Sequence, residues 1–213
     1  MSVNAAAIAE RYPRLWHMAE VENWDLIQVH GLLSTSALLD LFEYEGERRE
    51  AIESAFRATS VQIKHPKLGT ATIRDQAPMK SDELVARFLE DMTPQQWYRT
   101  LNSRVFFWLT EDRLERLLSA GLYRQRAHMV LEIDTATLLE RHADAVTLSP
   151  INSGAIFPAG RARRGPQTFS RIDDYPWAER AGHREPVVEL AVDHSVSELK
   201  GLLLGAEQRR TKK

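Results

Sequence analysis

Three short segments of this 213-residue chain carry side chains that could do chemistry together. The first is Leu15-Trp16-His17-Met18, an apolar run broken by one histidine. An imidazole offers a donor and an acceptor on a rigid, flat frame, which suits a ribose hydroxyl. The second is Arg104-Val105-Phe106-Phe107-Trp108-Leu109, whose aromatic rings offer a face for stacking a flat ligand ring. Strand alternation lets only one or two of Phe106, Phe107 and Trp108 face a cleft. The third is Glu185-Pro186-Val187-Val188-Glu189-Leu190-Ala191-Val192. A carboxylate inside an apolar strand is costly unless it is paired or used. Glu185 and Glu189 lie an even number of residues apart and share a strand face. Each segment also has a plain reading: a half-buried strand histidine, a central strand, and a glutamate turned to solvent.

Other candidates flank these. Arg74, in Ile73-Arg74-Asp75-Gln76, offers a fork that suits phosphate oxygens, or an ion pair with Asp75 or another acid. Ser149-Pro150-Ile151-Asn152-Ser153-Gly154 has turn composition, and Asn152 and Ser153 could bond a ribose or a base at a polar corner. Residues 159–184 then hold six arginines against three acids. Arg161, Arg163, Arg164 and Arg171 are interleaved with Phe169, Tyr175 and Trp177. Arginines position a phosphate backbone and aromatics stack on unpaired bases, so the segment fits a single-stranded nucleic acid. It reads equally as a mobile loop whose aromatics pack back on the core.

Composition removes several alternatives. The absence of cysteine excludes disulfides, thiolate metal sites and a cysteine nucleophile. There is no glycine-rich phosphate loop with lysine, no dinucleotide glycine fingerprint, no His-Glu-x-x-His helix and no Gly-x-Ser-x-Gly elbow. His128 and His142 are too dispersed to suggest a metal site. A net charge of −2 gives no bulk attraction for polyanions. No apolar run approaches the roughly 20 residues of a membrane span. Residues 1–11 lack the basic start and long apolar core of a signal peptide, so a cytoplasmic protein is expected.

The elements that must position these residues follow from periodicity and caps. Helices are expected over 2–11, 20–30, 35–44, 47–59, 81–91, 94–102, 111–120, 135–142 and 195–204. Gly31 sits where a helix C-terminal glycine belongs. Thr93-Pro94-Gln95-Gln96 reads as a capping box, and Thr110 as a helix cap. Strands are expected over 15–18, 104–109, 127–133, 145–148 and 186–192, with a hairpin from 61–63 and 70–74. The strand at 104–109 is nearly all apolar, which predicts burial on both faces. Residues 149–185 form a long loop without a clean period, and residues 206–213 a basic, frayed tail. The sum is a single α+β domain over 1–205.

The order histidine strand, aromatic strand, glutamate strand resembles the ADP-ribosyltransferase-like fold, and most closely the DarT-type DNA-modifying toxins. The likeness rests on His17, Asn23, Ile27 and Gly31-Leu32 at the start, and on Glu189-Leu190-Ala191-Val192 near the end, with Val196 beyond. Residues 101–108, Leu-Asn-Ser-Arg-Val-Phe-Phe-Trp, are also similar to the core of a bacterial family of unassigned activity. The transferase resemblance implies a split mixed or antiparallel sheet flanked by helices, with NAD as a substrate. It implies Glu189 as the catalytic acid and His17 on the ribose. His17, Gly31, Arg74, Phe107 and Trp108 would bind NAD. Asn152, Ser153, Arg161, Arg163 and Arg164 would bind the acceptor. That acceptor is expected to be single-stranded DNA or RNA, with a protein side chain as the competing choice and an antitoxin as a partner. Three departures stand out: the aromatic strand lacks a tyrosine, Ser34-Thr35-Ser36 reads as a helix cap rather than a strand motif, and residues 160–182 are longer and richer in arginine than a simple substrate loop. The alternatives are a non-catalytic protein on this fold that binds a nucleotide or partner, and removal of a phosphate from an RNA ribose.

Overall fold

The structure, a computed structural model, describes residues 5–121, 123–156 and 162–210. Its first half runs α1 (Ala5–Arg11), β1 (Arg14–Glu20), α2 (Trp24–His30), β2 (Leu32–Leu33), α3 (Thr35–Leu41), α4 (Gly46–Glu53), β3 (Val61–His65) and β4 (Gly69–Ile73). Next come α5 (Asp82–Ala86), α6 (Pro94–Asn102), β5 (Arg104–Trp108), α7 (Glu111–Leu118), β6 (His128–Asp134) and α8 (Thr135–His142). The chain closes with β7 (Val146–Ser149), α9 (Trp177–Arg180), β8 (Glu189–Asp193), β9 (Ser195–Val196) and β10 (Leu203–Arg209). This is an α+β fold, a mostly antiparallel sheet flanked by helices.

Local chemistry explains several boundaries. Thr93 and Gln96 form the expected capping box, and Pro94 opens α6. Ser34 accepts a hydrogen bond from Ala37 N at 3.1 Å, so Ser34-Thr35-Ser36 does start a helix. The hairpin of β3 and β4 forms with its turn before Gly69. Gly31 ends α2 at φ +77°, and a Cβ there would lie 2.3 Å from Val196 O. The backbone of β9 thus packs against Gly31 at a distance only glycine allows.

The main sheet has the order β10-β6-β1-β5-β8-β7, antiparallel at every neighbour. One face packs Leu15, Val105, Phe107, Leu131, Leu190 and Val192 into the principal core. β1 pairs with β6 along its whole length but meets β5 at a single pair, Trp16 with Trp108. Beyond that pair the two strands part.

Four expectations are corrected. β5 is not buried on both faces: Val105 and Phe107 are buried while Arg104, Phe106 and Trp108 are half-buried. It lies at the split, so one face looks into a cleft rather than onto a second layer. The helix expected at 195–204 is absent. Glu198 and Gly201 take positive φ, and the chain turns there to pair β9 with β2 and β10 with β6. The basic tail therefore begins inside an edge strand, where Arg209 reaches Glu111 at 2.7 Å and Glu115 at 3.0 Å. The described parts of the expected loop, 149–156 and 162–185, are packed as a strap: Arg164 bridges to Leu89, Ser170 bridges to Leu148, and α9 lies within it.

Candidate functional site

The split between β1 and β5 becomes a cleft. Two adjoining hollows of about 270 Å³ each share Thr35, Arg74, Arg104, Phe106, Trp108 and Leu117 in their walls. His17 and Gly31 line one hollow; Asn152, Ser153 and Glu189 line the other. The structure thus brings the predicted histidine and glutamate to one cleft, with Phe106 and Trp108 between them.

β1 places His17 in the gap where it leaves β5. The ring fills the space that a strand-to-strand hydrogen bond would occupy, with Nδ1 2.9 Å from Phe106 O. A carbonyl only accepts, so Nδ1 carries the proton and Nε2 is left as an acceptor. Burial draws the imidazole down to about 4; the Phe106 carbonyl opposes this, and the charge of Arg74 adds to it. His17 is therefore neutral at physiological pH.

β8 places Glu189 beside Trp108, with which it is in register. The carboxylate is 3 % exposed and accepts a hydrogen bond from Ser153 N at 2.9 Å. Burial pushes it up to about 7, against the Ser153 hydrogen bond and the charges of Arg113 and Arg164. Ser153 is itself buried, and its Oγ has no hydrogen-bond partner. A carboxylate and a free hydroxyl thus stand together in a largely dry corner. Glu185 lies elsewhere: it is half-buried, bidentate with Arg113, and outside the cleft. The proline after it and the late start of β8 remove it from the strand face it was expected to share with Glu189.

Other predicted residues fall into two groups. Trp108 lines the cleft, while Phe107 points into the core and contacts the His17 ring at 5.6 Å between centroids. Alternation puts Phe106 in the position expected of Phe107. Arg74 lines both hollows, but its Nε bonds Glu20 at 2.9 Å and its Nη2 bonds Met18 O at 2.8 Å. Its partner is Glu20, not Asp75. Asn152 lines the Glu189 hollow.

The arginine segment is knit inward. Arg164 is 1 % exposed and donates to the carbonyls of Ala155 at 2.6 Å, Ala162 at 2.7 Å and Asn152 at 3.3 Å. It braces the turn that carries Ser153 instead of facing solvent. Arg163 is exposed, near Glu90 at 3.6 Å and bonded to Arg87 O at 3.0 Å. Arg171 pairs with Asp193 at 3.0 Å. Arg161 lies outside the described residues. Phe169 stacks on Trp97 and meets Phe106, and the Tyr175 hydroxyl bonds Pro186 O at 2.6 Å. The aromatics pack on the body of the protein.

Sequence reasoning missed two participants, Arg104 and Glu20, and gave a third, Asn23, no role of its own. Arg104 lines both hollows, 3.3 Å from Asp193 Oδ1, with its guanidinium over the Phe169 ring. Its signal was a charge in step with Phe106 and Trp108 along the strand. Glu20 is 4 % exposed and gripped by Arg74 and Arg126, each at 2.9 Å. Asn23 uses its amide to bond both Thr72 N and Thr72 O, which docks the hairpin against the cleft.

Among the described residues no cluster of three or more histidine, aspartate or glutamate side chains could hold a metal, and no helix is long and apolar enough to cross a membrane. The curated proteins contain no match to this chain. The model of the family described as Family of unknown function (DUF7002) matches residues 13–203, and the chain belongs to that family.

Proposed function

We propose that this protein is an NAD-dependent ADP-ribosyltransferase. One observation carries the reading: a buried carboxylate, Glu189, and a neutral strand histidine, His17, line a single cleft with Phe106 and Trp108 between them. Nε2 of His17 accepts a hydrogen bond from a ribose hydroxyl. Phe106 or Trp108 offers a face to the nicotinamide ring. Glu189, once ionised, accepts from the 2′-hydroxyl of the nicotinamide ribose and opposes the positive charge that develops as the glycosidic bond breaks. A preplaced anion in a dry site is effective at that task. Nicotinamide leaves with the bonding electrons, and the acceptor's nucleophile adds to the anomeric carbon.

Single-stranded DNA or RNA is the acceptor in this reading, with a protein side chain as the competitor. The assay is nicotinamide release from NAD by the full chain, alone and with each nucleic acid. Acceleration by nucleic acid supports that acceptor; release without acceleration by either removes it. A second reading, nucleotide binding without catalysis, is favoured by one feature: Arg74 is tied to Glu20, not left free for a phosphate. NAD binding without release identifies that case.

A further inference from the structure

The direction of the Glu189 carboxylate depends on a turn, and the turn depends on one buried side chain. Ser153 N donates to Glu189 Oε2 at 2.9 Å, so the carboxylate follows the placement of that backbone amide. Asn152-Ser153-Gly154-Ala155 lies outside any helix or strand and has little apolar side chain of its own to pack. Arg164 supplies the missing hold. Its Nη2 reaches Ala155 O at 2.6 Å and Asn152 O at 3.3 Å, one on each side of Ser153, and its Nη1 reaches Ala162 O at 2.7 Å. The backbone of Arg164 is fixed as well: Arg164 N donates to Phe88 O and Glu90 N donates to Arg164 O, each at 2.8 Å. Gly165 follows so close to that segment that a Cβ would lie 2.7 Å from Glu90 O.

The residue type points beyond packing. A guanidinium buried on neutral carbonyls is costly, and an apolar side chain can fill the same space at less cost. Arg164 is 1 % exposed, and the carboxylate whose charge acts on it is Glu189. The other cation acting on Glu189 is Arg113 on α7, while Arg57, Arg74, Asp75, Arg104 and Tyr123 line the same hollow.

We propose that Arg164 is a positioning residue for Glu189: its guanidinium spans the 152–155 turn so that Ser153 N–H holds the carboxylate in place at the cleft. The consequence for turnover rests on the transferase reading; the hold on the carboxylate does not. A planar fork can bridge two carbonyls at once, whereas an ammonium keeps the charge without that span.

The test follows the Ser153 amide by NMR in the full chain, after thermal unfolding has shown each variant to be folded. In the parent the amide signal moves as Glu189 ionises, and Glu189→Gln abolishes the response. Arg164→Lys, which keeps the charge, and Arg164→Met, which keeps the bulk, both lose most of it. Arg163→Ala retains it. The proposal is overturned if the parent amide shows no response, if Arg164→Lys behaves as the parent because charge alone suffices, or if Arg164→Met does because packing alone suffices. Failure of both variants to fold makes Arg164 a residue of the fold only and overturns it too. For nicotinamide release, both variants should lower kcat by about 10-fold or more while KM for NAD stays near the parent's, since a misdirected carboxylate weakens the transition state and not the ground state. An unchanged kcat overturns the role in turnover. A parent that shows the amide responses but releases no nicotinamide refutes the transferase reading and leaves the hold of Arg164 on Glu189 standing.

Discussion

Glu189 stands directly across from Trp108 in the β5–β8 pair, so a buried carboxylate and an indole share one row and one cleft. Burial is the main reason Glu189 holds its proton up to about pH 7.

The pH dependence of stability follows. The folded chain keeps the Glu189 proton to about 7, while the unfolded chain releases it near 4.5. This group's contribution is complete below about 4.5, declines as pH rises, and is gone above about 7. The amount at stake is on the order of 3 kcal/mol. Glu189→Gln mimics the protonated form and removes the decline. Chemical denaturation at pH 5 and pH 8 should therefore show a smaller fall in stability for the variant than for the parent.

His17 behaves in the opposite sense. Its folded value is drawn to about 4 from 6.5, so the unfolded chain takes up a proton first as pH falls. Its contribution is complete above about 6.5 and is lost as pH drops towards 4. The imidazole signals in an NMR titration should stay unchanged down to about pH 5. A midpoint near 6.5 would place the ring in water instead of in the split.

How much of this was legible in the sequence can be argued from single residues. His17 and Glu189 were, because each is a polar group in an apolar run that must be paired or used. The capping box at Thr93 was, because it is a local contract between a side chain and its own helix. The face of β5 was not. Three consecutive aromatics look alike until the split decides that Phe106 and Trp108 meet the cleft and Phe107 meets the core. The role of Arg164 was hidden as well, since an arginine buried on backbone carbonyls and one bound to phosphate have the same local sequence. The last helix failed because Gly201 at positive φ turns 203–209 into an edge strand.

Gly31 gives a sharp stability test. Alanine there faces both a left-handed backbone and Val196 O at 2.3 Å. Gly31→Ala should cost about 3 kcal/mol in urea denaturation. It should also weaken NAD, because β2 and β9 move away from the His17 hollow. A cost under about 0.5 kcal/mol would mean that the close approach is not present.

The two neighbouring arginines of the strap should part company. Arg164→Ala strips donors from three carbonyls and should lower stability by about 3 kcal/mol. Arg163→Ala removes an exposed pair and should cost less than about 0.5 kcal/mol. Thermal denaturation of the two variants side by side checks the difference, and equal losses would refute the inward role of Arg164.

The most direct test of the central claim is nicotinamide release from NAD by the parent chain, Glu189→Gln and His17→Ala. The account predicts release by the parent, a fall of about 100-fold or more with Glu189→Gln, and weaker NAD binding with His17→Ala. Release should also rise with pH through about 7, as Glu189 becomes ionised. No release by the folded parent, or release that Glu189→Gln leaves intact, would contradict it.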